Sequence, residues 1–177
     1  NEIACLSVRY SLPMWMVEKW ISVYGKETVE KMGKAFLEER PVTVRRNTAV
    51  VSKEEFEKEL EKDGVVYRRH PVLPYAYELT RYDYLAGLLA FQKGYFYIQD
   101  ISSMQVAEWA EPKEGDYVID VCAAPGGKSL HAAGLLKEGN VISRDLTDSK
   151  TALIEENSRR CNCSNIRIET FDALEPD

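Results

Sequence analysis

Apolar side chains at Met14, Val17, Ile21 and Tyr24 recur every three to four positions, the period of one helix face. Ser11-Leu12-Pro13 precedes them, and Pro suits a first helical turn because its missing N–H has no partner there anyway. Gly25 ends the run. The same spacing at Val29, Met32, Ala35 and Phe36 predicts a second helix over 28–38 with those residues inward, stopped by Arg40-Pro41. The stretch 42–51, rich in β-branched residues, reads as a strand. Ser52-Lys53-Glu54-Glu55 fits a capping box, a hydroxyl followed three positions on by Glu. Phe56 and Leu60 share a face of the helix that follows, and Gly64 closes it. Short extended segments at 65–67 and 73–79, the second interrupted by Pro74, complete a small α+β domain over 1–92.

From Gly94 the pattern changes. Residues 95–98 form a strand, and Asp100 or Ser102 caps a helix carrying Met104, Val106, Ala107 and Trp109. A turn at 112–116 leads into Tyr117-Val118-Ile119-Asp120-Val121, an apolar strand of the type buried on both faces. A Gly-rich loop, a helix over 128–137, a strand at 140–143, a helix over 149–160 and a strand at 165–169 follow. Strand and helix in alternation open a doubly wound α/β sheet, so 93–177 reads as a second domain with a partial Rossmann-like fold.

The 177 residues suit one large domain or two small ones. No apolar run approaches the ~20 residues that span a bilayer, and no signal-peptide pattern opens the chain. No membrane partner is expected. The four cysteines (Cys5, Cys122, Cys161, Cys163) are too few for a disulfide scaffold, so the default setting is reducing and cytoplasmic. Cys161-Asn162-Cys163 lacks the two-residue gap of a zinc ligand pair, and no metal site is expected. The net charge of −6 argues against bulk nucleic-acid binding, but it is unevenly spread. Residues 1–94 hold 15 Lys+Arg against 14 Asp+Glu, and residues 95–177 hold 8 against 15. The near-neutral front half carries Arg45-Arg46 and Arg68-Arg69. These pairs read either as solvated strand ends or as a face that contacts RNA phosphates.

The chemistry concentrates in Asp120-Val121-Cys122-Ala123-Ala124-Pro125-Gly126-Gly127-Lys128-Ser129. Small residues between a strand and a helix let a ligand approach the backbone, and the helix N-terminus favours an anionic group. A phosphate-binding loop would carry Gly where Cys122 stands, and Pro125 removes an N–H that would cradle phosphates. A nucleoside with a carboxylate tail suits the loop better. Such a ligand needs an acid after the second strand to hold ribose hydroxyls, and Asp145 stands there, about 20 residues on. Asp172 follows the third strand, where it can accept from an adenine amine. Each acid taken alone also reads as a helix cap or loop residue.

The run from Asp120 to Lys128 resembles the S-adenosylmethionine loop of the Sun/Fmu family of RNA cytosine-5 methyltransferases, bacterial 16S ribosomal RNA type. Tyr97-Ile98-Gln99-Asp100-Ile101-Ser102-Ser103 is similar to the segment preceding that domain in the family. Leu6-Ser7-Val8-Arg9-Tyr10-Ser11-Leu12-Pro13 and Arg40-Pro41-Val42-Thr43-Val44-Arg45-Arg46-Asn47-Thr48 extend the likeness over most of the chain. The resemblance implies that Cys122, Ala123, Ala124, Pro125, Gly126, Gly127 and Lys128 hold the methionine end of the cofactor. It likewise implies that Asp145 binds the ribose, that Asp172 faces the adenine, and that residues 1–92 contact ribosomal RNA. In the family a Cys thiolate attacks C6 of cytosine, which makes C5 nucleophilic towards the methyl group, and a second Cys assists release.

Both family cysteines lie in segments after the fourth strand, beyond Asp177. The resemblance therefore implies an amino-terminal fragment, inactive alone, without the family's leading helical RNA-binding domain. None of the four cysteines is expected to be the nucleophile, and Cys122 is expected to be small and tightly packed in the loop. His131 reads as a packing or surface residue, and His70, before Pro71, points to solvent. The family's strand order 3-2-1, with strand 4 absent, leaves 117–121 as an unpaired apolar edge through which copies of the chain can self-associate. Two other readings remain: a non-catalytic RNA-binding module that uses the four arginines, and a nucleotide triphosphatase.

Overall fold

The computed structural model describes residues 2–136 and 139–176. The chain divides into two compact units, Asn1–Arg40 and Pro41–Asp177. The first is three helices: α1 (Glu2–Tyr10), α2 (Met14–Tyr24) and α3 (Lys26–Leu37). Leu6, Tyr10, Val17 and Val29 form its core. Gly33 allows the Tyr10 ring to lie on the α3 backbone, where a Cβ would stand 2.9 Å from the ring's Cδ1. Helix α1 has no counterpart in the sequence reading. Phe36, expected inward, is exposed and stacks loosely on Trp20, with ring centroids 6.1 Å apart.

The second unit holds two sheets. The first is antiparallel, in the order β2-β3-β1-β4, built from β1 (Val42–Arg46), β2 (Val66–Arg69), β3 (Ala76–Thr80) and β4 (Phe96–Ile98). Helices α4 (Lys53–Lys62) and α5 (Leu89–Gln92) accompany it. Val44, Phe56, Leu60, Tyr77, Leu79 and Phe96 are its dry centre. Ser52 caps α4 as its sequence suggests: its hydroxyl accepts from Glu55 N–H at 3.1 Å. Strand β1 is shorter than the expected 42–51 because the chain turns at Asn47, whose carbonyl accepts from Val50 and Val51. Strand β4 pairs with β1, with Arg45 opposite Tyr97, so this sheet reaches past residue 93.

The second sheet is parallel, in the order β5-β6-β7, from β5 (Tyr117–Asp120), β6 (Asn140–Asp145) and β7 (Ile166–Thr170). Helices α6 (Ile101–Ala110), α7 (Gly127–Leu135) and α8 (Asp148–Arg160) complete this layer. The expected end of α7 at Lys137 lies outside the described residues. Val141 and Ile154 are fully buried. Strand β5 is not buried on both faces as expected: Tyr117 is 73% exposed, and Ile119 and Val121 are exposed too. Among the described residues β5 pairs with β6 alone, so its outer side is an edge. No helix among the described residues is long and apolar enough to cross a membrane.

Asn47 and Arg160 join the two sheets. Asn47 Nδ2 donates to Gly94 O at 3.1 Å and to Cys161 O at 2.8 Å. Arg160 Nη1 donates to the carbonyls of Phe91 and Phe96, and its guanidinium lies 3.9 Å from the Phe91 ring centroid. These contacts fix the first sheet against the C-terminal end of α8.

Candidate functional site

Strand β5 delivers Asp120 to the sheet's carboxyl end. Its Oδ2 accepts from Ser129 Oγ at 2.7 Å and its Oδ1 from Cys122 N–H at 3.3 Å, so one carboxylate closes the loop over 121–126. Gly126 has φ +109°, a region L side chains avoid. A Cβ on Gly127 would stand 3.0 Å from Tyr97 Cε1. Helix α7 begins at Gly127, and its first internal bond runs from Leu130 N–H to Gly126 O. The amides of Gly127, Lys128 and Ser129 therefore lie outside the intrahelical ladder, at the positive end of the helix. Tyr97 Oη and Asn157 Nδ2 both donate to Pro125 O, at 3.0 and 3.1 Å, and hold the bend from two sides. Tyr97 belongs to a segment the sequence singled out, whereas nothing in the sequence marks Asn157.

Asp145, at the end of β6, is buried, with 6% of its surface exposed. Its Oδ2 accepts from Ala124 N–H at 2.9 Å, its Oδ1 accepts from Leu146 N–H at 2.8 Å, and Lys150 Nζ lies 3.0 Å from Oδ1. Burial alone would raise this carboxyl's pKa. The two backbone donors and the Lys150 ammonium outweigh burial and hold it below its ordinary value. Lys150 escaped the sequence reading, although it lies one helical turn into α8. Asp172, half-buried after β7, accepts from Leu174 N–H at 2.9 Å and so caps a local turn.

A cleft of about 190 Å³ opens beside the loop, between Ala123, Pro125 and Lys128 on one side and Gln99 and Ser103 on the other. Gln99 Nε2 is buried without a hydrogen-bond partner among the described residues.

The cysteines and histidines depart from several expectations. Cys122 is exposed, not tightly packed. Cys161 is buried and Cys163 partly so, and burial raises both thiols. His131 is packed, edge-on to Tyr75 at 5.3 Å, and burial pushes it down to about 3, so it is neutral. His70 is half-buried, and its Nδ1 accepts from Leu73 N–H at 3.0 Å and closes the turn before β3.

The four arginines do not form one face. Arg45 is buried, because successive strand residues point to opposite sides and its side faces inward. It is enclosed, not displayed on the surface as Arg68 and Arg69 are. Arg46 donates to Val51 O at 2.6 Å. Arg68 pairs with Glu78, with Nε 3.0 Å from Oε2. Arg69 forks onto Glu57 at 2.8 and 2.6 Å, and Tyr77 Oη shares that carboxylate.

Residues 107–177 match the family model of the 16S rRNA methyltransferase RsmB/F, and residues 12–83 match the ferredoxin-like domain of RsmF/B-like methyltransferases. The chain belongs to the RsmB/F family. The probable ribosomal RNA small subunit methyltransferase B of Bacillus subtilis is 37% identical over 95% of this chain and 38% of its own length. A tRNA (cytosine(72)-C(5))-methyltransferase of Pyrococcus horikoshii is 44% identical over 50% of this chain and 23% of its own length. The crystal structure of NSun6 from Pyrococcus horikoshii with SFG superposes with a TM-score of 0.76 at 26% identity. It covers 88% of this chain and 64% of that one. The chain thus spans well under half the length of these curated RsmB/F-family relatives. The small α+β part and the partial Rossmann-like sheet are the two family modules, and the loop after β5 lies inside the matched methyltransferase segment.

Proposed function

We propose that this chain is the cofactor-holding part of an S-adenosylmethionine-dependent methyltransferase that forms 5-methylcytosine in ribosomal RNA. The observation that carries this reading is the bond between Asp145 and Ala124 N–H, which ties the acid of the second strand to the small-residue loop of the first. The NSun6 neighbour was solved with SFG, an analogue of S-adenosylmethionine. The residues present fit such a group. Gly126 and Gly127 keep Cβ atoms out of the bend, and the free amides at the start of α7 would donate to the carboxylate of the cofactor. Gln99 and Ser103 line the adjoining cleft. A carboxylate offers about four acceptor positions, and three are taken on Asp145, which leaves one for a ribose hydroxyl. Asp172 would face the adenine. When bound, the cofactor's sulfonium supplies the methyl group.

Cys161 and Cys163 carry raised thiol pKa values, the opposite of what nucleophilic attack needs. Neither of these two is proposed as a nucleophile, and the chain is expected to bind cofactor. Ribosomal RNA is the proposed partner and the cytoplasm the proposed location. Calorimetric titration with S-adenosylhomocysteine tests the reading. Binding is expected, with no heat from ATP. Binding of ATP alone would assign the loop to triphosphates instead.

The outer side of β5 offers unpaired backbone groups beside exposed Tyr117 and Ile119, which makes it a template for a second copy. Light scattering of the 177-residue chain is expected to give a mass above that of the monomer. A monodisperse monomer whose β5 amides exchange freely would refute this.

A further inference from the structure

Arg45 leaves β1 towards the layer between the two sheets and is 6% exposed. Its Nε donates to Gln99 Oε1 at 2.7 Å, and no other hydrogen bond or ion pair joins the guanidinium to a described residue. Of five donors, four have no partner among the described residues. The groups nearest in charge are Tyr75, Tyr97, Cys161 and Cys163, all neutral at pH 7, and no carboxylate is among them. Burial pushes Arg45 down to about 10, which still leaves it charged at neutral pH. A buried cation without a counter-charge is costly, and a fold that keeps one gains from an anion beside it.

Space for that anion exists. Arg45 forms part of the wall of a cavity of about 250 Å³ between β1, α7 and the turn after α8. At roughly 30 Å³ per water, this is room for a tetrahedral oxyanion with part of its hydration shell. Ser164 adds a hydroxyl to the wall and, being exposed, marks the opening to solvent, while the side-chain amides of Asn47 and Asn165 already donate to backbone carbonyls. None of the residues of the loop after β5 lines it.

We propose that this cavity is an oxyanion site in which Arg45 holds a phosphate group, separate from the nucleoside site at the loop after β5. The phosphate is either free or part of a nucleic-acid backbone. Calorimetric titration with sodium phosphate, at an ionic strength held constant with sodium chloride, reads it directly. The chain is expected to give saturable one-site binding, lost in Arg45→Gln. Gly134→Leu serves if Arg45→Gln fails to fold. Gly134 lines the cavity from α7, and a Cβ there meets nothing within 4 Å. Leu is also the better helix former, so this variant adds side-chain volume at the cavity wall with Arg45 still in place. Its phosphate binding is expected to fall at least tenfold. Dimethyl phosphate separates the sources: binding equal to that of inorganic phosphate assigns a nucleic-acid backbone, and binding of inorganic phosphate alone assigns a free ligand. Absence of saturable heat, or unchanged binding by either variant, overturns the proposal.

Discussion

Gly94→Ala is expected to destabilise the second unit by about 3–5 kcal/mol, near the limit for a single substitution. Two costs combine. Gly94 sits at φ +69°, where an L residue is strained by about 1 kcal/mol or more. A Cβ there would also overlap the Arg160 carbonyl, 2.8 Å from its carbon and 2.9 Å from Cys161 Cα. Both obstacles are backbone at the end of α8 and cannot swing aside. Relief requires parting the two sheets, which breaks the Asn47 bonds to Gly94 O and Cys161 O. Gly64→Ala is the control, since it shares a φ of +70° but has nothing within 4 Å of its Cβ. Urea unfolding is expected to show a large fall in midpoint for Gly94→Ala at constant slope, and a loss near 1 kcal/mol for Gly64→Ala. Equal losses would mean that strain alone acts and that the close approach to α8 carries no weight.

Asp145→Ala is expected to weaken S-adenosylhomocysteine binding by roughly 10–100-fold, the worth of a hydrogen bond to a charged group. It also leaves the N–H groups of Ala124 and Leu146 without their acceptors, so the loop loosens. The pH dependence separates this residue from its neighbours. Its folded pKa lies below the ordinary value of 3.8, so its stabilisation is fully present above that value. That stabilisation is lost as the pH falls through the depressed folded value. Asp145→Ala should therefore remove part of the acid destabilisation of the wild type and leave the profile above pH 5 parallel to it. Equal cofactor affinity in wild type and variant would sink the ribose role. Comparison with Asp145→Asn separates the loss of charge from the loss of the acceptor.

Features encoded within one turn of chain were legible in the sequence. Ser52 and Glu55 announced the α4 cap because the hydroxyl and the amide it serves are three residues apart. The small residues between Asp120 and Ser129 announced a strand, a tight bend and a helix start, since each step depends on immediate neighbours. The alternation of strand and helix after Gly94 likewise announced a parallel sheet.

What remained depended on partners distant in the chain, and only the tertiary structure decided it. Helix α1 has three inward positions, Ile3, Leu6 and Tyr10, too few to define a period until α2 and α3 cover them. Strand β4 precedes the second sheet in sequence yet joins the first, because its ladder partner is β1, some fifty residues back. Four arginines look alike as letters. Burial, a carboxylate on β3, another on α4 and a single backbone carbonyl gave them separate fates. The local sequence determined which backbone shapes were favourable, and long-range packing determined which charges met a partner and which were enclosed without one.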